Sequence, residues 1–169
     1  MKYEITINQA LNLMAMMKTQ RQEIRTNLRQ EYSNEIISVN GNKYDNEKRT
    51  KTGIEQFEKI EALNKDLMTL INAVNKKNNE VLSNGKTLSE MINYVKIERM
   101  MYDIIKDTMR EDSLKESFGN VIEYGCLIQD YLQEKLKGKS LEKIEMLSNE
   151  IDILNNEIKI TVDLETVEL

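Results

Sequence analysis

The sequence predicts a mostly α-helical protein built from long antiparallel helices, a helical hairpin or bundle with room for a small β-ribbon. Three observations lead there. Proline is absent and glycine occurs only six times, so long stretches carry no helix breaker. Apolar residues recur with the alternating three and four spacing of one helix face in four separate segments. Charged residues make up 31% and aromatic residues 5% of the chain, which suits helices leaning on one another or on other subunits better than a thick globular core. One domain accounts for 169 residues.

Thr6 with Gln9 forms a capping box that opens a helix over residues 7–32. Its seam is Ile7, Ala10, Met14, Met17, Arg21, Ile24 and Leu28, broken only by Arg21. Thr52 with Glu55 is read as the start of a second helix, 54–82, whose seam runs Phe57, Ile60, Asn64, Leu67, Ile71, Val74, Asn78 and Val81. Thr87 with Glu90 opens a third, 88–109, bearing Leu88, Met91, Ile92, Val95, Tyr102, Ile105 and Met109. The turn "SNGKT" between the second and third is short, which makes those helices antiparallel neighbours. Ser140 caps a last helix, 141–158, with the seam Ile144, Leu147, Ile151, Leu154 and Ile158.

Residues 33–51 and 111–139 do not read as regular helix. Asn40-Gly41 suits a small hairpin or a polar loop, while Gly119 and Gly125 interrupt a segment that fits a β-ribbon or a short helix equally well. The tail, 159–169, alternates Ile158, Ile160, Val162 and Leu164 and is expected to lie extended on a neighbour's surface.

Composition removes much chemistry. There is no histidine, and Cys126 is the single cysteine, so a tetrahedral zinc site, a Ser or Cys triad with histidine and an intrachain disulfide are all excluded. No phosphate-binding glycine loop and no calcium loop occurs. The chain is therefore expected to be no enzyme and to need no cofactor. A net charge of −5 with interspersed signs argues against DNA or RNA as partner. No run approaches the roughly 18 apolar residues of a membrane span, and the cysteine usage suits a reducing cytoplasm.

Three groups of residues stand out as site candidates. In "LINAVNKKNNEVLSNGKTLSEMI", Asn72, Asn75, Lys76 and Asn79 interrupt an apolar helix. Amides in a seam fix register or subunit number; alternatively they pair with a base edge or ribose while the lysine answers phosphate. Arg99 stands near Lys96 and Tyr102, a candidate phosphate clamp with an aromatic partner, or an ordinary charged surface with Arg99 paired to Asp103. Arg21 occupies an otherwise apolar seam and either snorkels, meets a carboxylate or points into a pocket. The methionines read as adaptable packing.

The opening helix "QALNLMAMMKTQRQEIRTNL", the central I-N-x-x-N followed by T-L-x-E, and "LEKIEMLSNEIDILNNEI" before a short extended tail resemble the septicolysin-like family of helical bacterial and phage proteins. Asn72, Asn75, Thr87 and Glu90 are the positions that carry over; the family's tryptophan-containing tail has no counterpart in "ITVDLETVEL". The resemblance implies a ring-like homo-oligomer, a hexamer, without catalytic activity. Together these readings predict a non-catalytic oligomeric protein holding a small polar or nucleotide-like ligand between subunits. If the chain is phage-encoded, it would sequester a nucleotide immune signal. The alternative is a structural or interaction protein with no small-molecule ligand.

Overall fold

The computed structural model describes residues 1–33, 46–110, 130–136 and 141–167. The elements in chain order are β1 (Lys2–Thr6), α1 (Ile7–Ser33), α2 (Asn46–Asn78), α3 (Leu88–Arg110), α4 (Leu141–Glu157) and β2 (Lys159–Asp163), with residues 130–136 also helical. The protein is thus mostly helical with one two-stranded antiparallel sheet. The chain forms two compact units, Met1–Lys77 with Asn155–Leu169 and Asn78–Leu154.

In the first unit α1 begins where the capping box places it. The Thr6 amide donates to Gln9 Oε1 at 2.9 Å and the Gln9 amide to Thr6 Oγ1 at 3.2 Å. Ile7, Ala10, Met14 and Met17 are buried as their spacing requires, and Leu13 joins them. Thr52 does not cap α2, which starts earlier, at Asn46; nothing in 46–53 forbids helix, and a Thr-x-x-Glu pattern inside one is simply four helical residues. The seam of α2 is also displaced. Leu63, Leu67, Leu70 and Val74 are its buried line, whereas Phe57 is 60% exposed and Val81 lies beyond the helix and 71% exposed. Both lines satisfy a three and four alternation; packing against α1 selected the one without asparagine.

α1 and α2 run antiparallel, since Arg21 bonds Asn64 while Leu28 shares a groove with Gly53 and Phe57. The ribbon closes this unit. β1 and β2 pair from Lys2 opposite Asp163 to Thr6 opposite Lys159. The Ile7 amide donates to the Ile158 carbonyl at 3.0 Å, joining the helix start to the strand start. Ile5, Ile160, Val162 and Leu164 are buried while Lys2, Glu4, Lys159, Thr161 and Asp163 face water, the period-two pattern of a strand with one apolar face. The expected extended tail therefore exists, but it lies on the chain's own first strand rather than on a neighbour. The small ribbon is built from the two distant strands, whereas the hairpin considered at Asn40-Gly41 falls outside the described residues.

Beyond β2, Asp66 on α2 clamps the tail. Its carboxylate is 1% exposed and accepts from the Glu165 amide at 3.0 Å, the Thr166 amide at 2.7 Å and Thr166 Oγ1 at 2.6 Å. A buried charge costs several kcal/mol unless it is bonded on all sides, and the tail supplies those donors.

In the second unit the turn after α2 is held by Leu82 amide to Lys86 carbonyl at 2.8 Å, by Asn84 Oδ1 accepting from the Lys86 amide at 3.0 Å, and by Gly85 at φ 78°. Left-handed backbone there favours glycine. The Thr87–Glu90 box caps α3, at 2.8 Å and 3.1 Å. Leu88, Met91 and Ile105 on α3 and Ile144 and Ile151 on α4 are buried.

Asp66→Asn keeps the shape of the clamp but turns an NH₂ towards donors, and is expected to cost about 2–3 kcal/mol in urea unfolding. A loss below about 0.5 kcal/mol, the level of a neutral surface change, would remove the clamp from the stability of the fold.

Candidate functional site

The polar run lies at the end of α2. Asn72, Asn75 and Lys76 are exposed on its last turns, and Asn79 is exposed in the first residue after the helix. On the same turns Leu70 and Val74 are buried, so this end of the helix has an apolar and a polar side. Asn78 is the amide that enters the apolar side: it is half-buried, and its Oδ1 is screened from solvent without a hydrogen-bond partner. Asn72, Asn75, Lys76 and Asn79 therefore do not occupy the buried seam.

Arg21 is not part of that surface. Its Nη1 donates to Asn64 Oδ1 at 2.8 Å. The two polar interruptions of the α1 and α2 seams thus meet each other, the amide oxygen serving where a carboxylate was expected. Arg21 is exposed and Asn64 half-buried, so the pair lies at the edge of the two seams.

On α3, Arg99 and Lys96 line a groove of 570 Å³ with Ile92, Val95, Met100, Asp103 and Ile104, closed on the α4 side by Ser148 and Ile151. Tyr102 is not among the lining residues. It is half-buried, with the Lys106 ammonium 5.8 Å from its ring centroid. The proposed clamp of Lys96, Arg99 and Tyr102 is therefore divided, and the Arg99–Asp103 ion pair does not form among the described residues. Two cations and the carboxylates of Asp103 and Asp107 leave this groove with no net charge.

A second groove, of 860 Å³, lies between α1 and α2, with Arg25, Arg29 and Leu28 on one side and Ile54, Phe57 and Glu58 on the other. Its arginines again stand opposite acids. Among the described residues no cluster of three His, Cys, Asp or Glu side chains could hold a metal, and no helix is long and apolar enough to cross a membrane.

The strongest electrostatic arrangement surrounds the tail. Lys65 bonds Glu165, and that hydrogen bond, followed by the charge of Glu165, pushes the Lys65 ammonium above its ordinary pKa of 10.5. The Met1 amine donates to Asp163 at 2.8 Å, and this bond holds the Asp163 carboxyl below its usual range. These exposed pairs serve the same latch as Asp66. The signal for Asp66 in the sequence is a lone acid on the line of Leu63, Leu67 and Leu70, a position where an unpaired carboxylate would not be tolerated.

Comparison with protein-family models, with curated proteins and with solved structures finds no match.

Replacing both seam polar residues, Arg21→Leu with Asn64→Leu, is expected to raise unfolding stability by about 1 kcal/mol through added apolar burial, while either change alone gains less. Because Lys65 has a raised folded pKa, its contribution is complete below pH 10.5 and lost as pH rises through the folded value. The stability difference between wild type and Lys65→Gln should accordingly vanish in alkaline urea titrations and persist at neutral pH.

Proposed function

We propose that this chain is a non-catalytic helical binding protein that assembles with further copies of itself and holds a small anionic or nucleotide-like ligand at the polar end of α2. The observation that carries this reading is the exposure of Asn72, Asn75 and Lys76 together, on the turns of α2 whose other side buries Leu70 and Val74. Amide groups offer paired donors and acceptors that match a base edge, and the ammonium answers phosphate charge. The absence of histidine from the sequence supports binding over hydrolysis. The resemblance to the septicolysin-like family supports a ring-shaped hexamer in the cytoplasm, and in a phage such a protein would sequester a nucleotide immune signal.

A specific observation also favours the structural reading. The two grooves on α1–α2 and on α3–α4 are lined by other residues than the polar run, and several large apolar side chains on α3 are exposed. In that case the helix faces recruit a protein partner and no small ligand is held.

Thermal unfolding with a panel of cyclic and linear nucleotides separates the two. A ligand present at 100 times its Kd adds about 2.7 kcal/mol to stability, and Asn72→Ala with Lys76→Ala should abolish that gain while native mass spectrometry reports an unchanged oligomer. An oligomer that carries no small molecule from cells and ignores the whole panel would sink the ligand reading.

A further inference from the structure

The groove between α1 and α2 carries its apolar floor and its charges on one face. With about 3.6 residues per turn, Leu28, Arg25 and Arg29 fall within roughly a third of the α1 circumference, and Phe57, Glu61, Ile54 and Glu58 within roughly a third of that of α2. Leu28 stands one heptad beyond Arg21 and Phe57 one heptad before Asn64, the pair that bridges the two helices, so both lie on the lines that face each other. The arginines therefore flank this floor along one wall and the glutamates along the other. One turn from the same bridge, Arg25 comes level with Glu61, and a turn further Arg29 stands beside Phe57 and Glu58. Ile54 is 55% exposed, and Phe57 as much in water. None of the four charged groups takes part in an ion pair among the described residues.

We propose that this groove is covered by the same groove of a second copy, the two α1–α2 hairpins closing into a four-helix bundle about a two-fold axis parallel to the helices. Charge complementarity names the occupant. That axis keeps heights along the helices and exchanges the walls, so Arg25 and Arg29 face Glu61 and Glu58 of the second copy, and each pair is made twice. Every helix then has antiparallel neighbours on both sides, the arrangement of an up-and-down bundle. The same operation lays Phe57 over Leu28 of the second copy and takes Ile54 and Phe57 out of water. A two-fold axis across the helices would instead lay α1 on α1, setting arginine against arginine and glutamate against glutamate, so the charges select the axis as well as the partner. An occupant charged with one sign is repelled by one wall, whereas a second copy satisfies both. The inference rests on the reading of this chain as self-assembling and names a surface for it; it is independent of any ligand at the end of α2.

Sedimentation velocity on the whole chain tests this. Arg25→Glu with Arg29→Glu makes both walls acidic, and Glu58→Arg with Glu61→Arg makes both basic. Each variant alone is expected to lose self-association by roughly 100-fold, and an equimolar mixture to recover it as a heterodimer, with circular dichroism confirming that both remain helical. If a charge variant unfolds, cysteine pairing in a Cys126→Ser background decides: oxidation of mixed Arg25→Cys and Glu61→Cys chains should join residue 25 of one to residue 61 of the other. A monomeric wild type would overturn self-assembly and this interface together. Variants that associate as the wild type does, apart and mixed alike, would leave assembly standing and overturn the interface alone, as would a crosslink joining 25 to 25 in place of 25 to 61.

Discussion

The first unit depends on a buried carboxylate. Asp66 sits one residue before Leu67 and is as inaccessible as the leucines around it. That position is tolerable only because the Glu165 and Thr166 amides and the Thr166 hydroxyl turn their donors onto it. Dependence runs both ways. The tail has little reason to stay on α2 without the acceptor, and α2 cannot bury the acid without the tail. Because β2 also needs β1 for its backbone bonds, one contact joins residues about a hundred positions apart into a single cooperative unit.

The remaining polar interruptions are resolved differently. Arg21 and Asn64 cancel one another across α1 and α2, each satisfying the other where a lone polar group would be left to water at the edge of the seam. Asn72, Asn75 and Lys76 are exposed, whereas Asn78, like Gln56 and Asn155, holds its amide oxygen in screened surroundings without a hydrogen-bond partner. The line of Leu63, Leu67, Leu70 and Val74 is one that leaves the asparagines out of the core; desolvating an unpaired amide costs more than exposing Phe57.

In the second unit α3 has the opposite character. Besides the buried Leu88, Met91 and Ile105 it leaves Tyr94, Ile97, Met100 and Ile104 exposed. The groove beside it is electrically balanced, with Lys96 and Arg99 set against Asp103 and Asp107.

By itself the sequence determined that the four long helices exist and where two of them begin. The absence of proline set their lengths, and the boxes at Thr6–Gln9 and Thr87–Glu90 set two starting points, because capping and periodicity act within a few residues and are complete in the local chain. The alternation of the tail likewise declared a strand with one buried face. Tertiary structure decided what local rules leave degenerate. It chose between two equally spaced seams on α2, started that helix at Asn46 rather than at Thr52, gave the tail its partner in β1, and matched Arg21 to Asn64 and Asp66 to Thr166. Each of those choices compares the cost of burying a polar group with the donors that a distant segment can bring, and that comparison exists only once the chain has folded.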